Sequence, residues 1–151
     1  MAKVIARVFG GLGNQLFIYA AAKALAERTG SHLVLDIHSG FRRDDFQRQF
    51  ALNHFDVGYR EANALERFEF PMGRGVRYLF RTVNQYLPPQ NRFYLSDLFR
   101  QKKKFIEPLI SYQPRAWSWM EGYWQSPLYF NDIRKTLIRE LRVTSPLSEE
   151  T

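Results

Sequence analysis

Apolar and polar residues alternate between two periods along this chain. Val4-Ile5-Ala6-Arg7-Val8-Phe9 is a β-branched and apolar run that stops at glycine, which predicts a buried strand. After Gly10-Gly11-Leu12-Gly13, apolar residues recur at Leu16, Phe17, Ala20, Ala21, Ala24 and Leu25. That spacing predicts a helix, and Gly30 stands where a C-terminal cap is expected. His32-Leu33-Val34-Leu35-Asp36 reads as a second strand ending on a carboxylate. Strand, glycine loop, helix and strand in that order open a parallel α/β sheet, so the expected fold class is α/β, a Rossmann-like parallel sheet flanked by helices.

The middle of the chain is less regular. Residues 46 to 58 show no clean period. Val76, Leu79, Phe80 and Val83 lie at helical spacing within Gly75 to Leu87, and Pro88-Pro89 ends that segment. Trp117-Ser118-Trp119-Met120-Glu121 alternates and predicts a strand stopped by Gly122. Ser126-Pro127 then reads as an N-cap with proline in the first helical position, before a stripe of Phe130, Ile133, Leu137, Ile138 and Leu141.

Ligands bind at the carboxyl ends of strands in such sheets, which draws attention to the two loops. Gly11, Leu12 and Gly13 lie at a helix N-terminus, where free amides and the dipole favour an anion. A strand-to-helix turn alone would also use these glycines. The dinucleotide fingerprint is half met, because its third glycine position is Leu16, and the lysine of a P-loop is absent. Asn14 could cap the helix or offer its amide to a ligand; Gln15 lies beside it. In the second loop, Tyr123, Trp124 and Gln125 bring aromatic faces and an amide, which suit a sugar; packing in the core is the competing reading. Asp36, as a strand-end carboxylate, is either a cleft residue or the partner of a nearby Arg or turn.

Composition removes several chemistries. The 151 residues contain no Cys, so disulfide frameworks, thiolate metal sites and thiol nucleophiles are excluded. No Gly-x-Ser-x-Gly elbow or Asp-x-Asp pair occurs, and His32, His38 and His54 lack metal-ligand spacing. Asp44 and Asp45 stand among Arg42, Arg43 and Arg48 and are expected in an exposed ion-pair cluster. The net charge of +7 suits anionic partners. No nucleic-acid motif accompanies it, and Lys102-Lys103-Lys104 is expected on a solvated surface, so nucleic acid is not an expected partner. No apolar run is long enough to span a membrane, and the N-terminus does not read as a signal peptide. A cytoplasmic location is expected, with peripheral association at the inner face of the membrane left open.

Two segments together resemble a known family. Gly10-Gly11-Leu12-Gly13-Asn14-Gln15-Leu16-Phe17-x-Tyr19-Ala20, followed by Leu33-x-Leu35-Asp36, is similar to the N-terminus of bacterial α-1,2-fucosyltransferases, glycosyltransferase family 11. Gly122-Tyr123-Trp124-Gln125-Ser126-x-x-Tyr129-Phe130, ahead of Ile133-Arg134, resembles that family's second landmark. The resemblance implies the N-terminal domain of a two-domain GT-B enzyme, metal-independent and without a cofactor. Such an enzyme transfers fucose from GDP-fucose to the 2-hydroxyl of a galactoside acceptor with inversion. It implies donor contacts at Gly11, Leu12, Gly13, Asn14 and Gln15, and acceptor or cleft roles for Asp36, Tyr123, Trp124 and Gln125. Asn14 and Asp36 are the catalytic candidates. The family's His-x-Arg-Arg-Gly-Asp motif, on the C-terminal donor domain, is absent from this sequence. The expected division is therefore residues 1–145 as the acceptor-side domain and 146–151 as the start of a linker. A chain lacking that donor domain is expected to be inactive, and its uncovered domain interface to favour self-association. A sugar- or nucleotide-binding module without catalysis is the alternative.

Overall fold

A computed structural model describes residues 1–97, 111–113 and 116–145. Lys102-Lys103-Lys104 and the proposed linker 146–151 lie outside the described residues. The elements are β1 (Lys3–Arg7), α1 (Leu12–Thr29), β2 (His32–Asp36), β3 (Arg60–Glu61), α2 (Gly73–Asn84), β4 (Tyr94–Ser96), β5 (Trp117–Glu121) and α3 (Arg134–Glu140). The strands form one sheet in the order β3-β2-β1-β5-β4, and every adjacent pair is parallel. This is the expected α/β sheet with flanking helices.

Alternating side chains divide the core between the two faces of the sheet. Val4, Ala6, Leu35 and Met120 meet the buried flank of α1, built from Ile18, Tyr19, Ala21, Ala22 and Leu25. Small alanines let this helix lie close to the sheet. Gly30 ends it in the left-handed region at φ 63°, and the Ser31 amide bonds back to the Ala26 carbonyl at 2.9 Å. On the other face Ile5, Val34 and Ala62 pack with Trp117 and Trp119. Phe68 and Phe80 add ring contacts to Trp119 there, with centroids at 5.2 and 5.6 Å.

Two helices depart from expectation. α2 begins at Gly73 and stops at Asn84, three residues short of Leu87. Asn84 ends it because its buried side chain has other partners: its Oδ1 accepts from the amides of Phe93 at 2.6 Å and Tyr94 at 2.9 Å, drawing the chain into β4. Ser126 and Pro127 do open a turn as expected, but it is the short 3-10 turn Pro127–Tyr129, and α3 starts only at Arg134. Ile138, expected in the apolar stripe, is 61% exposed.

Candidate functional site

β2 and β5 both pair with β1, and the chain leaves β1 in opposite lateral directions to reach them. A sheet opens a crevice at such a switch point, above the strand ends. The glycine loop after β1 and the loop after β5 line this crevice. Gly10 turns the chain out of the sheet at φ 80°, Gly11 is the N-cap, and the Gln15 amide makes the first intrahelical bond to the Gly11 carbonyl at 3.1 Å. The amides of Leu12, Gly13 and Asn14 precede that bond and have no partner within the helix. A methyl group placed on Gly11 or Gly13 would meet no atom within 4 Å, so the space over this turn is open.

Asn14 does not cap α1, contrary to one of its expected uses. Its Oδ1 accepts a hydrogen bond from Gln125 Nε2 at 2.8 Å, joining the two loops across 111 residues of sequence. Gln15 is buried, and its amide is spent on the protein. Its Nε2 donates to the carbonyls of Gly10 and Gln49, and its Oε1 accepts from the Ala51 amide, each at 2.9 Å. With both N–H bonds used, Gln15 supports the glycine loop and presents no donor to a ligand.

The aromatic pair divides. Trp124 is fully buried and stacks edge-on against Tyr129 at 5.5 Å, which is the packing role. It turns inward because its backbone adopts φ 52°, held where the Asp97 carboxylate accepts from the amides of Tyr123 and Trp124, both at 2.9 Å. Tyr123 stays 40% exposed and meets the edge of Phe9 at 5.1 Å. Tyr123 and Gln125 are thus the members of this loop that face solvent.

No protein-family model, curated protein or solved structure matches this chain.

Beneath the crevice lies a row of charges that sequence reasoning found only in part. Arg7, Asp36 and Glu121 are the last residues of the three central strands and share the α2 face of the sheet. Arg7 donates to Glu121 Oε1 at 2.6 Å and to Ser39 Oγ at 3.0 Å. Asp36 is 2% exposed and accepts from the amides of His38 and Ser39 at 3.1 and 2.9 Å, and from the Ser39 hydroxyl. Arg77 lies 3.5 Å from Asp36, and Arg81 lies 3.6 Å from Glu121, both supplied by one face of α2. Tyr94 donates its hydroxyl to Glu121, and burial together with that carboxylate raises the phenol above its ordinary range. Asp36 is therefore occupied by the turn after β2 and by Arg77, the structural use weighed for it.

Arg7, Glu121, Arg77 and Arg81 were missed, although each carried a signal. Arg7 interrupts an apolar strand, Glu121 ends one, and Arg77 and Arg81 stand four apart beside Val76 and Phe80. Asp44 and Arg48 do pair on the loop after β2; the guanidinium holds the carboxyl below its usual range. Among the described residues no group of three or more His, Asp or Glu side chains is placed to hold a metal ion, and no helix is long and apolar enough to cross a membrane. Apart from the crevice, an apolar groove of about 650 Å³ runs between α1 and α3, bordered by Leu16, Phe17, Phe130 and Ile138.

Proposed function

We propose that this chain is the N-terminal, acceptor-side part of an inverting galactoside 2-α-L-fucosyltransferase of the GT-B architecture. The reaction moves fucose from GDP-fucose to a galactose 2-hydroxyl: the hydroxyl oxygen bonds to the anomeric carbon, the bond to the diphosphate breaks, and GDP leaves with the electron pair. The hydroxyl proton passes to a base.

One observation carries the reading. The two segments that resemble the family meet at the switch point through the Gln125–Asn14 hydrogen bond. Because Oδ1 of Asn14 is taken by Gln125, its Nδ2 is left as the donor, beside the first-turn amides of α1. Those groups suit the developing charge on a departing diphosphate. Tyr123 supplies an exposed ring for the C–H face of a sugar, and Gln125 an amide for its hydroxyls. Leu12 and the backbone of Gly11 and Gly13 complete the donor edge, while Asp36, Gln15 and Trp124 hold the loops in place.

The test pairs GDP-fucose transfer onto lactose with calorimetric titration of GDP on the same 151-residue chain. The expected result is a folded protein, by circular dichroism, with no measurable transfer and weak GDP binding that Asn14→Ala abolishes. Clear turnover would refute the assignment to one part of a divided site. Tight GDP binding without turnover would favour a sugar-nucleotide-binding module instead.

A further inference from the structure

The chain that leaves β2 is fastened to the crevice at two points. Gly40 packs on the end of β1, where a Cβ would fall 2.0 Å from the Val8 carbonyl oxygen and 2.7 Å from Phe9 Cβ. Further on, Gln15 in the first turn of α1 donates to the Gln49 carbonyl and accepts from the Ala51 amide, both at 2.9 Å. Residues 41 to 49 thus run between the end of β1 and the helix that carries Asn14, on the β2 side of the crevice, with the loop of Tyr123 and Gln125 on the β5 side.

The tip of this loop is a built turn. The Gln47 amide donates to the Asp44 carbonyl at 3.0 Å, which leaves Asp45 and Phe46 as its central pair. Gln47 closes it at φ 54°, a left-handed conformation that costs energy in a residue with a Cβ. The Asp44 carboxylate accepts from the Arg48 amide at 2.7 Å and from Arg48 Nε at 3.0 Å. Held in this way, Arg48 lies over the Phe46 ring with Cζ 4.8 Å from the centroid, and it is within electrostatic reach of the Tyr123 hydroxyl. Phe46 itself stays 78% exposed, and its neighbours Asp45 and Gln47 are exposed polar groups. An incidental surface ring needs no such support.

We propose that Phe46 is the acceptor platform of the crevice, its open face stacking on the C–H face of the galactose ring while Asp45 and Gln47 serve the hydroxyls. The surroundings of the ring decide for a saccharide. A protein partner is met by a contiguous apolar patch, whereas a pyranose offers C–H groups on a face and hydroxyls along its edge, which one ring among polar groups matches. The identity of the sugar rests on the fucosyl-transfer reading above; the platform extends the acceptor side to the wall across from Tyr123.

NMR titration of the isotope-labelled 151-residue chain with lactose, and separately with GDP, tests this. Lactose should shift the amide signals of residues 44–48 and of Tyr123. Phe46→Ala should weaken lactose about five- to tenfold with GDP affinity unchanged, and Phe46→Trp should restore it. Tyr86→Ala, which removes a comparably exposed ring from α2's C-terminal side, should leave lactose affinity as it was. Native lactose affinity in Phe46→Ala would overturn the platform and leave the fucosyl-transfer reading standing. So would a native chain that binds GDP and not lactose, or loss of GDP binding in Phe46→Ala, which would make the ring a partner of the nucleotide. A folded native chain that binds neither ligand would overturn both.

Discussion

Two glycines at the crevice separate a structural use from a functional one. A methyl group at Gly13 meets nothing within 4 Å, and the residue lies in the first turn of α1. Gly13→Ala should therefore raise the urea midpoint, by up to about 1 kcal/mol of stability, since alanine loses less backbone entropy on entering a helix. The same variant should weaken GDP binding if the ligand approaches the turn closely, so a calorimetric titration beside the denaturation curve separates the two uses. Gly122 is the opposite case. A Cβ there would lie 1.9 Å from Asp97 Oδ1, the carboxylate that accepts from the Tyr123 and Trp124 amides. Gly122→Ala should cost about 2 kcal/mol or more, and quenching of Trp124 fluorescence by acrylamide should increase as the buried indole loosens. Both the glycine loop and the Trp-containing loop were recognisable from the chain. Which glycine is free and which is hemmed in depends on Asp97, a neighbour 25 positions away.

Between elements, charge does much of the joining. Glu66 has no exposed side-chain surface and is held by Lys3 at 3.0 Å, by Arg60 and by the Asn63 amide at 2.9 Å. These partners outweigh the opposing effect of burial and lower the carboxyl from 4.5 to about 2. A depressed folded value means that the ionised form is favoured by folding. The resulting stability is fully present above about pH 4.5 and lost as pH falls toward 2. Unfolding free energies from urea titrations of the native protein and Glu66→Gln should differ by about 2 to 3 kcal/mol at pH 7 and converge near pH 2. Across the strand ends, Arg7 and Glu121 form a second cross-element pair, at 2.6 Å and with Glu121 2% exposed. A double-mutant cycle of Arg7→Met and Glu121→Gln should give a coupling energy of about 1.5 to 3 kcal/mol, because removing Arg7 takes a counter-charge from the buried Glu121 carboxylate. A coupling near zero would show that Ser39 and Arg81 alone suffice as partners.

Over the whole molecule, the sheet order brings residues of distant sequence to one edge. β1 lies between β2, its near neighbour in the chain, and β5, more than 100 residues on. The Asn14–Gln125 bond depends on that placement, so Gln125→Ala should leave the fold intact, costing no more than about 1 kcal/mol for one exposed hydrogen bond. Under the proposed function it should weaken GDP or acceptor binding as Asn14→Ala does, which ligand titration of the two variants would compare. The exposure of Tyr78, Leu79 and Val83 on α2 is a property of the same scale. It exists because the buried carboxylates of two strands attract the arginines of a helix that follows neither strand directly.

Local periodicity was enough to locate β1, α1, β2 and β5, because strand alternation, helical spacing and glycine stops are written in neighbouring residues. The left-handed cap at Gly30 was legible for the same reason. The role of each site residue was not. Gln15 and Trp124 look like ligand groups in a linear reading, yet the amide of the first is used up by the carbonyls of Gly10 and Gln49, and the ring of the second is buried against Tyr129. The direction in which α2 faces was hidden as well. Its Val76, Leu79, Phe80 and Val83 pattern predicts an apolar face turned to the core, but only Phe80 reaches the Trp119 cluster. A buried charge requires a counter-charge more strongly than an exposed leucine or valine requires cover, so Asp36 and Glu121 turned Arg77 and Arg81 inward. That competition between residues remote in sequence is decided only when the sheet assembles.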